Sequence, residues 1–177
     1  MCGIAGALSL QDSFEITPSF MNRMNETMIH RGPDGKGVWV SKDRQVGLAH
    51  RRLSIIDLSA SAAQPMCNAD QSVVITFNGE IYNHQEIRAE IQKLMDENQI
   101  AKFCWQTDHS DTEVILRAYE IWGIECIEKF RGMFAFAIWD AKQKALYLVR
   151  DRIGIKPLYF SNYKGRLTFA SEIKALL

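Results

Sequence analysis

Gly132-Met133-Phe134-Ala135-Phe136-Ala137-Ile138-Trp139 holds the reading of the fold. After Gly132 the run is apolar without interruption and too short for a buried helix, which is the pattern of a strand covered on both faces. The polar turn at 140–144 then leads into 145–149, which reads as the returning antiparallel partner. Such a strand needs an apolar layer above and below it. The remaining elements supply both layers. Short apolar or alternating runs at 4–10, 37–40, 46–51, 53–56, 158–161 and 167–170 read as strands, the last two around Gly165. Helices are signalled separately. Thr17 is a candidate N-cap with Pro18 at the first helical position, and Met21, Met24 and Met28 follow at helical spacing. Asn83 with Glu86 resembles a capping box before Ile87, Ile91 and Leu94; Ser110-Asp111-Thr112-Glu113 is a better one before Val114, Ala118 and Trp122. A last helix is expected to start within 171–177. Strands and helices come in blocks and not in β-α-β alternation, so the expected class is α+β, two packed antiparallel sheets with helices outside.

Two stretches carry turn chemistry. Val73-Val74-Ile75-Thr76-Phe77-Asn78-Gly79-Glu80-Ile81-Tyr82 sets two apolar arms around Asn-Gly, the pattern of a tight hairpin. Residues 57–71, rich in Ser, Ala and Asn with Pro65, read as a surface excursion. The turn-rich loop His30-Arg31-Gly32-Pro33-Asp34-Gly35 suits either a solvated connection or one wall of a cleft.

Composition narrows the function classes. The chain has 177 residues, enough for one domain with a sizeable core. Lys+Arg and Asp+Glu are each 21, so the formal net charge is +0 and neither a nucleic-acid nor a membrane surface is indicated. Cys2, Cys67, Cys104 and Cys126 form no C-x-x-C pair, and His30, His50, His84 and His109 lack zinc-ligand spacing. No disulfide, metal or membrane span is expected, and a reducing cytoplasm is the expected compartment.

The chemistry points to the start of the chain, Met1-Cys2-Gly3-Ile4-Ala5-Gly6. Removal of Met1, which a small second residue permits, would leave a thiol and a free α-amine on one Cα of Cys2. Their reference pKa values, about 8.5 and about 7.7–8.0, make proton transfer between them nearly thermoneutral. Gly3 and Gly6 leave room for a substrate or another backbone against this strand. A second-position Cys is also the residue type that fills small buried sites. A lipid anchor would need an apolar segment upstream, and myristoylation would need Gly at position 2. Asp111 suits either helix capping or an ammonium ligand, and Asn78-Gly79 either turn chemistry or oxyanion donation.

Cys2-Gly3-Ile4, Arg31-Gly32-Pro33-Asp34, His50-Arg51-Arg52-Leu53-Ser54-Ile55-Ile56-Asp57, Gln64-Pro65-Met66, Asn78-Gly79-Glu80-Ile81-Tyr82-Asn83, Asp111-Thr112-Glu113 and Arg131-Gly132-Met133-Phe134-Ala135-Phe136 together resemble the glutaminase domain of the glutamine-hydrolysing asparagine synthetases. These are class II glutamine amidotransferases of the N-terminal-nucleophile hydrolase superfamily. The likeness spans residues 2–177 and implies a four-layer αββα sandwich. It implies Cys2 as the nucleophile that takes the side-chain carbonyl of L-glutamine through a thioester. The Asn78 side-chain amide and the Gly79 N–H would form the oxyanion hole, and Arg52 would hold the α-carboxylate. Asp111 with Glu80 would take the α-ammonium, and main-chain groups of Leu53, Ser54, Ile55 and Ile56 would line the pocket. A guanidinium suits a carboxylate bidentately, and strand alternation allows only one of Arg51 and Arg52 to point inward. No cofactor is implied for this domain. The resemblance implies an ATP-dependent synthetase domain, in cis or in trans, that uses ATP and Mg2+ to amidate aspartate. Neither a G-x-x-x-x-G-K-[ST] nor a Ser-Gly-Gly loop occurs in the chain. A homodimer, another ammonia acceptor such as an antibiotic or surface-sugar precursor, and a catalytically silent glutamine-binding regulatory domain remain open alternatives.

Overall fold

The computed structural model describes residues 1–10, 14–53 and 63–177. In these residues two antiparallel sheets lie face to face. The first has strand order β2 (Gly35–Val40), β3 (Val46–Arg52), β1 (Gly3–Ser9), β9 (Arg166–Ala170), β8 (Tyr159–Tyr163). The second runs β4 (Met66–Cys67), β5 (Val73–Ile81), β6 (Gly132–Asp140), β7 (Ala145–Arg150). One helix, α1 (Pro18–Glu26), covers the first sheet; α2 (His84–Asp96) and α3 (Asp111–Trp122) cover the second. The architecture is therefore an α+β sandwich of four layers.

Side-chain alternation assigns every strand residue to a layer. On the outer face of the first sheet, Ala5, Ala7 and Ala49 are small enough for Met21, Met24 and Met28 to pack directly on them. Between the sheets lie Ile4, Leu48, Val74, Ala135, Ala137, Trp139 and Phe169. Ile75, Phe77, Phe136 and Ile138 face the other way, onto Ile87, Ile91, Val114 and Ala118 of the two helices. Strand β6 is thus buried on both faces. Gly6 gives its space to the protein itself, since an added Cβ would run into the Phe169 ring and the Gly47 carbonyl.

Several local expectations need correction. Asn78-Gly79 is not a hairpin turn: β5 runs straight through it and pairs with β6 from Val73↔Asp140 to Ile81↔Gly132. The glycine is required by close approach, because a Cβ at Gly79 would meet the Met133 carbonyl and the Phe134 backbone. The interval read as a surface excursion contains β4, with Met66 buried; residues 57–62 lie outside the described ones. Likewise, the strand expected at 53–56 falls on Leu53, just past β3, and on Ser54, Ile55 and Ile56, which lie outside the described residues.

The caps differ in detail. Thr17 accepts from the Phe20 N–H at 3.2 Å, but Asn83 makes no side-chain cap. Its amide instead donates to the Lys129 carbonyl and accepts from the Arg131 N–H, both at 2.9 Å. Ser110 caps α3, whereas Glu113 turns back to accept from the Gln106 and Thr107 N–H groups at 2.8 Å. Met95, not Leu94, fills the third buried position of α2, and the C-terminal segment forms one 3-10 turn, Ile173–Ala175.

Two polar contacts cross the apolar space between the sheets. Thr76 Oγ1 donates to the Ala49 carbonyl at 3.1 Å, and His50 Nε2 lies 3.1 Å from the Phe77 carbonyl. Burial, helped by the Arg52 charge and opposed by the Phe77 carbonyl, lowers the His50 pKa to about 4. The imidazole is therefore neutral and donates Nε2–H to Phe77. An unfolded histidine titrates near about 6.5, so below that pH the unfolded chain takes up a proton that the native one refuses. Stability from this source is complete above about pH 6.5 and declines as pH falls toward about 4, by up to about 3 kcal/mol. Urea unfolding at pH 7.5 and 4.5 should show a smaller acid loss in His50→Gln than in the parent protein. Equal acid losses would contradict the assignment.

Candidate functional site

At one end of the sandwich the alternation gathers four side chains. Continuing β1 back from Ile4 turns Cys2 to the inter-sheet face, and continuing β3 from Leu48 and His50 turns Arg52 to the same face. The ladder pairs Gly3 with Arg51 and Ile4 with His50, so its next step sets Cys2 against Arg52. Arg51 points the opposite way, with Nε donating to the Asn25 carbonyl of α1 at 3.1 Å. In β5, Asn78 and Glu80 share the inter-sheet face with Val74 and Thr76.

Cys2 is half-buried. Its sulfur accepts from the Leu53 N–H at 3.5 Å and lies 3.9 Å from the Leu53 carbonyl, so the main chain leaving β3 flanks the thiol. Arg31 Nε donates to the Cys2 carbonyl at 3.0 Å and Nη1 reaches Glu172 at 3.2 Å. The loop of uncertain purpose at 30–35 is thus a brace for the chain start. The Ile4 amide is held by Ser171 Oγ at 3.0 Å, and Lys156 Nζ reaches Met1 Sδ at 3.6 Å.

Asn78 is 2% exposed, and its Nδ2 has no hydrogen-bond partner among the described residues. A buried amide donor left without an acceptor costs about 1–3 kcal/mol, which a ligand oxygen would recover. Next to it, the Gly79 N–H follows from the ladder. Phe134, opposite Gly79, directs its own N–H to Asp151 and accepts the Asp151 N–H at 2.8 Å, so this pair makes no mutual bonds. The Gly79 N–H therefore points along the sheet plane to the edge of β5 away from β6. Its neighbours on that edge are occupied: the Phe77 N–H goes to Gln64 Oε1 at 2.6 Å, and the Ile81 N–H to Asp111 Oδ2 at 3.1 Å.

Asp111 begins α3 and is half-buried. Burial, and to a smaller degree the nearby Glu80 charge, raise its carboxyl pKa, against the Ile81 N–H and His84. Asp111 and Glu80 thus stand at one end of the β5 edge, while the side chains of Cys2, Arg52 and Asn78 turn to the shared inter-sheet face. Such an arrangement is shaped to take a zwitterionic α-amino acid by both charges and offer its side-chain carbonyl to sulfur. Ser54, Ile55 and Ile56 lie outside the described residues. Gln64, Arg31 and His50 were not singled out for any role by sequence reasoning, because each acts on backbone far away in the chain. A wide groove at the opposite end of the sandwich, between Trp39 and Trp139, contains none of these groups.

A family model described as "Glutamine amidotransferase domain" matches residues 1–177. The chain is 43% identical over 178 residues to "Asparagine synthetase [glutamine-hydrolyzing] 2" of Bacillus subtilis strain 168, covering 99% of this chain and 22% of that protein. It is 41% identical to "Asparagine synthetase B [glutamine-hydrolyzing]" of Escherichia coli K12, covering 100% of this chain and 30% of the relative. The chain thus spans less than a third of the length of these curated relatives. Among solved structures, glutamine phosphoribosylpyrophosphate amidotransferase from B. subtilis, complexed with ADP and GMP, superposes with a TM-score of 0.74 at 18% identity. The match covers 99% of this chain and 43% of that one and shows the same fold.

The raised Asp111 pKa means that its charge is held at a cost at neutral pH and is relieved as pH falls through that pKa. In Asp111→Asn the charge is gone while the amide oxygen still accepts from Ile81. Thermal unfolding at pH 7.5 should give a Tm equal to or above that of the parent. A Tm several degrees lower would contradict this electrostatic picture.

Proposed function

The chain belongs to the glutamine amidotransferase domain family, and from that membership we propose that Cys2 attacks the side-chain amide of L-glutamine to release ammonia. The buried Nδ2 of Asn78, without a partner among the described residues, carries this reading, because it shares the inter-sheet face to which Cys2 turns and is the kind of donor an oxyanion needs. In this mechanism Met1 is removed first, freeing the α-amine of Cys2 to act as base.

The glutamine α-carboxylate pairs with Arg52 and the α-ammonium with Asp111 and Glu80, which fixes the amide carbon over the sulfur. The thiolate adds to that carbon, and the oxygen becomes an oxyanion held by Asn78 Nδ2–H and the Gly79 N–H. Collapse breaks the C–N bond while the protonated α-amine passes its proton to the leaving nitrogen, giving ammonia and a γ-glutamyl thioester. Water, deprotonated by the same amine, then adds; the C–S bond breaks and L-glutamate leaves. The Leu53 N–H assists by donating to the sulfur.

Ammonia released here would be consumed by an ATP-dependent synthetase domain, in cis or in trans, with aspartate as acceptor. The identity to two asparagine synthetases supports that acceptor. ATP and Mg2+ would act in that second domain; the described residues contain no group of three or more His, Cys, Asp or Glu positioned for a metal. A partner near the cleft is also supported by the loop after β7. Asp151 accepts the N–H groups of Phe134, Ile155 and Lys156, and Arg150 donates to the Gly154 and Lys156 carbonyls at 2.7 Å. This bracing holds Ile153, 83% exposed, and Ile155 out in solvent on the loop whose Lys156 reaches Met1. The reaction belongs in the cytoplasm, whose reducing poise keeps a catalytic thiol free; no helix among the described residues is long and apolar enough to cross a membrane.

Loss of one oxyanion donor should cost about 2.7–4 kcal/mol of barrier. Asn78→Ala is therefore expected to lower kcat for glutamate release by about two to three orders of magnitude, with KM for glutamine little changed. Turnover at the parent rate would refute the assignment. Arg52→Ala should raise KM with a smaller effect on kcat, and an unchanged KM would remove Arg52 from the pocket.

A further inference from the structure

Gln64 has no part in the chemistry described so far, yet it touches both halves of the site. The ladder of β4 pairs Met66 with Ile75 and Cys67 with Val74, and two residues further the same register sets Gln64 against Phe77. Backbone pairing has ended there, and the side chain takes over. Its Oε1 accepts the Phe77 N–H at 2.6 Å, and its Nε2 donates to Thr112 Oγ1 at 3.1 Å. Its carbonyl lies against Gly37 of β2, where an added Cβ would collide with it. One side chain thus binds the residue before Asn78 and the residue after Asp111.

These bonds close a ring. It runs along β5 from Phe77 through Gly79 to Ile81, crosses to Asp111, passes to Thr112 and returns through Gln64 to Phe77. The Gly79 N–H lies inside that span. Had β4 continued as backbone, it would have satisfied Phe77 and then run on over Gly79. A side-chain amide reaches Phe77 and stops, and among the described residues no group accepts the next edge amide, the Gly79 N–H.

We propose that Gln64 is a positioning residue that sets the separation between the oxyanion donors and the α-ammonium anchor, so that one glutamine is gripped at both ends in register. The proposal rests on the roles given above to Cys2, Asn78, Gly79 and Asp111. Its loss loosens both grips together: the carbonyl is offered to a shifted donor, and the ammonium to a shifted carboxylate. Glutamate at this position can replace the amide, since one oxygen accepts the Phe77 N–H and the Thr112 hydroxyl can turn to donate to the other. Leucine can do neither.

The test measures kcat and KM for glutamate release, normalised to titrated active Cys2, in Gln64→Leu, Gln64→Glu and Thr112→Val, with Cys2→Ala assayed per mole of total protein. Gln64→Leu is expected to lose on the order of 100-fold in kcat/KM, the scale of a misplacement of about 1 Å, through both a lower kcat and a higher KM. Gln64→Glu should recover most of that loss. Thr112→Val, which cuts only the link to α3, should raise KM more than it lowers kcat. A merely structural glutamine would reduce the active fraction and leave kcat and KM per active site unchanged; that result would overturn the proposal, as would equal losses in the Leu and Glu variants. Should Gln64→Leu fail to fold, the Glu and Val variants decide by the same criteria. Turnover retained in Cys2→Ala would instead overturn the underlying reading, and the proposal with it.

Discussion

Strand β4 is only two residues long, and the site depends on that shortness. A buried strand edge must find partners for its N–H groups. Along the edge of β5 facing β4, Asn68 takes the Val73 N–H, β4 pairs at Ile75, Gln64 takes Phe77 and Asp111 takes Ile81. Gly79 lies between the last two. The edge is thus closed by backbone where stability needs it and by side chains where a ligand must enter. Gly79 can occupy this place because β6 passes so close that any Cβ would strike Met133 and Phe134.

Electrostatics follows from the same geometry. The space between the sheets is lined mainly by apolar side chains, crossed by the Thr76 and His50 contacts. His50 is there neutral, spending its proton on the carbonyl of the peptide that precedes Asn78. Asp111 stays near Glu80 at a cost that an ammonium would relieve, and Asn78 keeps a buried donor without an acceptor among the described residues. The last two are unfavourable in the empty cleft and would be relieved by the α-amino acid of the proposed reaction.

The layer order was legible in the sequence because its signals are local: the unbroken apolar run of β6, the Thr17-Pro18 start of α1 and the block order of strands and helices. The roles proposed for Cys2, Asn78 and Asp111 come from the resemblance, since each residue has an ordinary alternative reading. Asn78-Gly79 was misread as a hairpin because the turn preference of Asn-Gly reflects glycine's freedom at positive φ. Here glycine answers to a neighbouring strand, which no local pattern reveals. The contacts of Arg31, His50 and Gln64 escape local patterns for the same reason, their backbone partners being 29, 27 and 13 residues away.

In the proposed mechanism the cleft serves a single covalent event at the sulfur of Cys2. The most direct measurement is a peptide map of the protein quenched in acid during turnover of L-glutamine. The account predicts an N-terminal peptide that begins at Cys2 and carries a γ-glutamyl group on its sulfur. A protein that turns over glutamine with Met1 still attached, or an adduct found on Cys67, Cys104 or Cys126 instead, would contradict it.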